Sequence, residues 1–196
     1  DRLLDNVVSN VLPERYFEKD ENGIPTETVD EIFERVAKNV ALAEVVYESN
    51  RVGTEIWVTP DQLKPDHPRR PQLAKDVFGV DPREFQEEED LPDSLEGLNG
   101  HLIDDTVQLT EENVSKFTYD TIVPDLENEE VKDHVVDIKE QFQTMMEWLD
   151  WMPNSPTLMN AGSELQQLSA CFVMSPKDDI QEIYKTQRRA AEVFQS

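Results

Sequence analysis

Cysteine is nearly absent from this chain: Cys171 is the only one in 196 residues. That excludes an intrachain disulfide framework and a cysteine metal cluster. Histidine is scarce as well. His67, His101 and His134 share no metal-ligand spacing and read as surface or packing residues. Basic residues are few, 18 Lys and Arg against 43 Asp and Glu, which leaves a net charge of −25. Such a chain repels phosphate backbones, so DNA binding is not expected. No apolar run reaches the ~18 residues of a membrane span. The opening Asp1-Arg2-Leu3-Leu4-Asp5 lacks a basic region followed by an apolar stretch, so neither a secretory signal nor membrane binding is expected, and a cytoplasmic location is.

What is abundant is acid. A surface this acidic stays hydrated in concentrated salt, and salt screens the self-repulsion it creates, so a halophilic source is expected. With 37% hydrophobic residues a modest core can form. The length suits one domain, or one domain and the start of another.

Leu3, Leu4, Val7, Val8, Val11 and Leu12 predict a short helix running into Pro13, and Lys19-Asp20-Glu21-Asn22-Gly23 predicts a turn. Thr28-Val29-Asp30-Glu31 reads as a capping box opening a helix with Ile32, Phe33, Val36, Val40, Ala43 and Tyr47 on one face. Between 52 and 128, prolines at 60, 65, 68, 71, 82 and 92 interrupt any long element. The run Glu87-Glu88-Glu89-Asp90 reads as solvated loop, with short helices expected near Gln72–Val77 and Thr110–Phe117. This stretch reads as an acidic insertion or irregular connection.

A second helical stripe follows in Val131, Val135, Ile138, Phe142, Met145, Met146 and Leu149, with Trp148 and Trp151 expected in the core and the helix stopping before Pro153. Residues 153–174 are poor in charge and rich in small residues. Leu168-Ser169-Ala170-Cys171-Phe172-Val173-Met174 has the length and apolarity of a buried strand. Ser175-Pro176 then suggests a helix start, with Ile180, Ile183, Tyr184, Ala191 and Phe194 on one face.

The low-charge loop Asn154-Ser155-Pro156-Thr157-Leu158-Met159-Asn160-Ala161-Gly162 offers backbone donors and hydroxyls suited to a sugar or phosphate. By composition alone, Cys171 is better read as a small buried hydrophobe than as a reactive thiol. Taken with Gln167-Leu168-Ser169-Ala170-Cys171-Phe172-Val173, however, the loop resembles the signature of the ribonucleotide reductase large chain, in its adenosylcobalamin-dependent branch. Leu12-Pro13-Glu14-Arg15-Tyr16 with Lys19-Asp20 and Gly23, Val36-Ala37-Lys38, and Ala190-Ala191-Glu192-Val193-Phe194-Gln195-Ser196 are similar to further parts of that family. The resemblance covers roughly residues 10–48 and 135–196 and leaves 52–128 outside it.

The resemblance implies an α/β fold. A mostly helical domain over 1–150, carrying the acidic insertion at about 52–128, would be followed over 151–196 by the first strand and helix of a ten-stranded α/β barrel. It implies a ribonucleoside-diphosphate reductase, with triphosphate substrates the alternative, that reduces the ribose 2′-OH by radical chemistry. A thiyl radical removes the 3′-hydrogen, and a cysteine pair supplies the electrons and becomes a disulfide. Cys171 matches one member of that pair. Ser155 matches a position whose hydroxyl contacts substrate, and Ala170 with Cys171 matches the pair lining the sugar. Asp178 matches an effector-site acid that accepts from the deoxyribose of a dNTP, although a helix-start acid favoured by the dipole explains it equally well.

Adenosylcobalamin as cofactor, dNTP and ATP as effectors, a thioredoxin-like reductant and a homodimer are implied in the same way. The partner cysteine, the thiyl cysteine, a glycine-rich turn and the cobalamin contacts are expected beyond Ser196, in the remainder of the polypeptide, so the chain alone is expected to be inactive. A split gene, an intein or a truncation would each place an end there. Three other readings stay open: the iron-dependent class of the same enzyme, a non-catalytic nucleotide-binding remnant, and an acidic helical interaction module with a buried Cys171.

Overall fold

The structure, a computed structural model, describes residues 5–65, 67–79, 106–163 and 166–195. The run at 87–90 and His101 lie outside them. A π turn at Val7–Val11 leads directly into α1 (Leu12–Arg15). The helix therefore runs through Pro13 rather than into it, because proline is tolerated in a first turn. The 19–23 turn forms as expected: Asp20 Oδ1 accepts from Asn22 N (2.9 Å) and Ile24 N (2.8 Å).

The long helix α2 (Val29–Val52) begins at the predicted capping box. Thr28 accepts from Glu31 N, and Glu31 Oε2 accepts from Thr28 N at 2.7 Å. These bonds, led by the Thr28 hydroxyl, hold the Glu31 carboxyl below its usual pKa. The buried stripe of α2 is wider than the predicted face: Ile32, Phe33, Val36, Ala37, Ala41, Leu42, Val45 and Val46 are all buried. Tyr47, assigned to that face from the sequence, is 53% exposed. The reason is that α2 has neighbours on two sides.

One neighbour is α5 (Glu129–Glu147), capped by Asn128 accepting from Val131 N at 3.1 Å. Met146 joins Ile32, Phe33 and Val36 in one core cluster, and Val131 and Val135 join Leu42, Val45 and Val46 in another. The two helices therefore run antiparallel. Arg51 locks one end of the pair, reaching Glu48 at 2.5 Å and Glu130 at 2.8 Å.

The other neighbour is built from the described parts of 52–128. β1 (Trp57–Val58) pairs antiparallel with β2 (Val107–Gln108), Trp57 opposite Gln108 and Val58 opposite Val107. α3 (Arg70–Phe78) and α4 (Tyr119–Ile122) add Leu73, Ala74 and Ile122 to the core, and Leu63, Leu109 and Phe117 complete it. Phe117 has no exposure at all, and burying a side chain of that size contributes roughly 1.5–3 kcal/mol. These described flanks are integral core rather than an excursion from it. The helix expected over Thr110–Phe117 shrinks to a 3-10 turn, Val114–Lys116.

Three sequence expectations fail near the end of α5 and beyond. α5 stops at Glu147, ahead of Pro153, where Leu149 adopts a left-handed φ of 60° and its N–H returns to Met146 O at 3.1 Å. That termination turns Trp148 and Leu149 outward, 76% and 61% exposed, while Trp151 packs on Phe142 with ring centroids 5.3 Å apart. Residues 168–174 form no strand. They have no regular secondary structure and are largely exposed, with Val173 at 96%, and no strand lies beside them among the described residues. A strand needs a hydrogen-bonded neighbour, and apolarity alone does not supply one. The last helix, α7 (Ile180–Gln195), starts later than Ser175, because Asp179 Oδ1 accepts from Gln181 N (2.9 Å) and Glu182 N (3.2 Å). Ile180, Tyr184 and Phe194 on it are exposed. Among the described residues no helix is long and apolar enough to cross a membrane.

Candidate functional site

The low-charge loop folds as α6 (Ser155–Asn160). Asn154 caps it by accepting from Thr157 N at 3.1 Å, and Pro156 suits the first turn. Ser155 sits at the first helical position, its Oγ 3.1 Å from the Tyr16 hydroxyl. Tyr16 thus anchors the residue expected to contact substrate, a partner that no local sequence signal pointed to.

α6 also holds the run leading to Cys171. Asn160 Nδ2 donates to Gln167 O at 2.8 Å. Thr157 Oγ1 lies 2.6 Å from Asn154 Oδ1 and 3.0 Å from Leu168 O, and its single proton serves one of them at a time. Beyond this strap the chain is open. Ala170 and Cys171 are both exposed, and Cys171 is in no disulfide. Within these 196 residues, then, Cys171 is not buried as composition alone suggests. Asp178 is exposed as well and stands one residue ahead of the α7 cap, on a different element from Ser155.

Arg35 fixes α6 to α2. Its Nε donates to Glu27 at 2.6 Å and its Nη2 to Glu27 at 3.0 Å and to Leu158 O at 3.3 Å, while Nη1 donates to Ala161 O. Gly162 lies against the same side chain. Its φ is +83°, and an added Cβ would sit 2.8 Å from Arg35 Cγ, so only glycine fits without displacement.

One charged residue had no signal in the sequence. Lys64 is only 7% exposed. An antiparallel bridge between Leu63 and Phe117 sets it beside Lys116, with Lys64 N donating to Lys116 O at 3.2 Å. Burial lowers its pKa to about 8, and the Lys116 ammonium adds to the shift. The unfolded chain therefore binds more protons than the folded one between pH 8 and about 10.5. Unfolding free energy should rise with pH across that window, by up to about 3 kcal/mol from this group. Urea titrations of the wild type and Lys64→Met at pH 7.5 and 10 check this: the rise should be smaller in the variant, and equal rises would refute the assignment.

A family model for the ribonucleotide reductase all-alpha domain matches residues 2–166. The chain is similar to the vitamin B12-dependent ribonucleoside-diphosphate reductase of Thermoplasma acidophilum, 31% identical over 187 residues, covering 95% of this chain and 21% of that relative. It is also similar to a protein of the same description from Mycobacterium tuberculosis, 46% identical over 54 residues, 28% of this chain and 8% of the relative. The chain thus spans about a fifth or less of the length of these relatives. No solved structure gives a significant match.

Proposed function

The chain belongs to the ribonucleotide reductase large-chain family through its all-alpha domain, and from that premise we propose that it is the N-terminal part of an adenosylcobalamin-dependent ribonucleoside-diphosphate reductase in which Cys171 is one of the redox-active pair. The observation that carries the reading is the exposed Cys171 on a segment whose approach is strapped to α6. An exposed thiol is accessible to a substrate and to a second thiol. The reaction replaces a C2′–OH bond by C2′–H, releases water, and oxidises two thiols to one disulfide, so Cys171 needs a partner cysteine and a dithiol, thioredoxin-like reductant to reset it. Ser155, held by Tyr16, would orient the substrate, Ala170 would leave room for the sugar, and Asp178 would accept a hydrogen bond from a dNTP effector.

Residues 151–196 are proposed as the start of the α/β barrel after the helical 1–150. Exposed Phe172, Val173, Tyr184 and Phe194 would be covered by the rest of that polypeptide, and 168–174 would become a strand when a neighbouring strand is beside it. The described cavities, about 250 to 470 Å³, do not fit a corrinoid, so adenosylcobalamin and its radical chemistry are assigned to the rest of the polypeptide. A homodimer is proposed with the family assignment, and an acidic cytoplasmic enzyme of this charge suits concentrated salt.

Assaying the longer polypeptide for reduction of a ribonucleoside diphosphate with a dithiol, with and without adenosylcobalamin, tests the reading. Deoxynucleotide should form only with the cofactor, and the 196-residue chain alone should give none. Turnover that requires an iron-containing partner instead would move the protein to the iron-dependent class. No reduction under either condition would overturn the assignment.

A further inference from the structure

We propose that Lys64 and Lys116, with the carboxamide of Gln166, form a binding site for a phosphate-group anion, distinct from Ser155, Ala170, Cys171 and Asp178 and independent of the roles assigned to them. Two separate observations converge on one cavity. The first is Lys64, more than nine-tenths buried, which lines a cavity of about 250 Å³ together with His67, Arg69, Lys116 and Gln166. Among the described residues it has no ion pair. Of the acids that share a cavity with it, Asp120 pairs with Lys38 at 2.9 Å, and Asp76, which accepts from Gln72 at 2.8 Å, and Glu18 make no ion pair with Lys64. A buried ammonium without a counter-charge is costly, and in a chain of net charge −25 a carboxylate partner would be the easiest thing to supply.

The second observation is Gln166. Its backbone takes a left-handed φ of 51°. Its Oε1 accepts from Asn39 Nδ2 at 3.2 Å, which leaves the amide nitrogen as the outward donor, and that nitrogen is buried with no partner. Buried donors are ordinarily satisfied, so an orphaned N–H beside an uncompensated ammonium marks a missing acceptor that is negatively charged. Two ammonium groups and this amide N–H donor around a small cavity suit the several acceptor oxygens of a phosphate group better than the single acceptor point of a halide. Gln166 directly precedes the segment that carries Cys171, so the site borders the strap on α6.

The test is isothermal titration of the 196-residue chain with sodium pyrophosphate, inorganic phosphate and ADP, at ionic strength held constant with chloride. The expected result is saturable one-to-one binding of at least one phosphate compound. Lys64→Met should weaken it at least tenfold and Lys116→Met severalfold, while Lys132→Met, at a distant lysine whose Nζ donates to Pro124 O, should leave it unchanged. Lys64→Met removes a buried charge and should fold; should it not, Lys116→Met at its half-exposed position carries the test. ADP binding as tightly as pyrophosphate would identify the phosphates of a nucleotide as the ligand, and pyrophosphate or phosphate alone would identify the free anion. No saturable binding, or binding indifferent to Lys64 and Lys116, would overturn the proposal.

Discussion

Arg35→Met should destabilise the fold by about 3–5 kcal/mol, the range for removing one partner of a buried ion pair. The Arg35 and Glu27 side chains are 13% and 9% exposed. Without the guanidinium, Glu27 would keep the Glu18 N–H (2.8 Å) but lose its close cation, and the carbonyls of Leu158 and Ala161 would lose their donors. Those carbonyls lie at the C-terminal end of α6, where a cation also meets the negative end of the helix. The methylene stem of methionine restores much of the packing, so the loss isolates charge and hydrogen bonding from volume. Arg35→Lys should fall in between, because an ammonium cannot make the two parallel bonds to Glu27. Since domains are stable by about 5–15 kcal/mol, Arg35→Met would remove roughly a fifth of the total or more. Urea unfolding with an unchanged slope measures it, and a loss below 1 kcal/mol would show that α6 is held by something other than Arg35.

Cys171→Ser in the complete reductase polypeptide should lower multiple-turnover activity by at least about a thousandfold, the scale on which removal of an essential reacting group acts. A hydroxyl cannot close a disulfide, so the electron pair needed at C2′ has no source. The same substitution in the 196-residue chain should barely change its stability, because there Cys171 is exposed and belongs to neither core cluster. That combination separates a redox role from a structural one: a packing cysteine would lose stability and keep activity. Activity above a few per cent of wild type in the serine variant would remove Cys171 from the reacting pair.

What the sequence made legible was local. The capping box at Thr28 and Glu31 depends on four neighbouring residues, and it forms as read. The helical periods of α2 and α5 were equally visible, because each helix buries one side against the other. What failed depended on partners distant in sequence. Tyr47 and Trp148 are apolar at helical spacing, yet the buried stripe follows the positions of α5 and the 52–128 flanks, which periodicity within one helix cannot locate. The apolar run at 168–174 reads as a strand because strand character is a property of neighbours as much as of composition. Of the site, Ser155, Ala170, Cys171 and Asp178 were singled out by resemblance. Tyr16, Arg35, Lys64 and Gln166 were not, since their significance lies in contacts spanning fifty to more than a hundred residues. An uncompensated lysine can be recognised only once its surroundings are known.

The most direct test of the central claim is the redox state of Cys171 after a single turnover. The reduced full-length polypeptide would be mixed with one equivalent of ribonucleotide and cofactor in the absence of external reductant, quenched with an alkylating agent, and digested for mass spectrometry. The account predicts that the Cys171 peptide is recovered disulfide-linked to another cysteine of the same polypeptide, in proportion to deoxynucleotide formed. Product formed while Cys171 remains fully alkylated would contradict it.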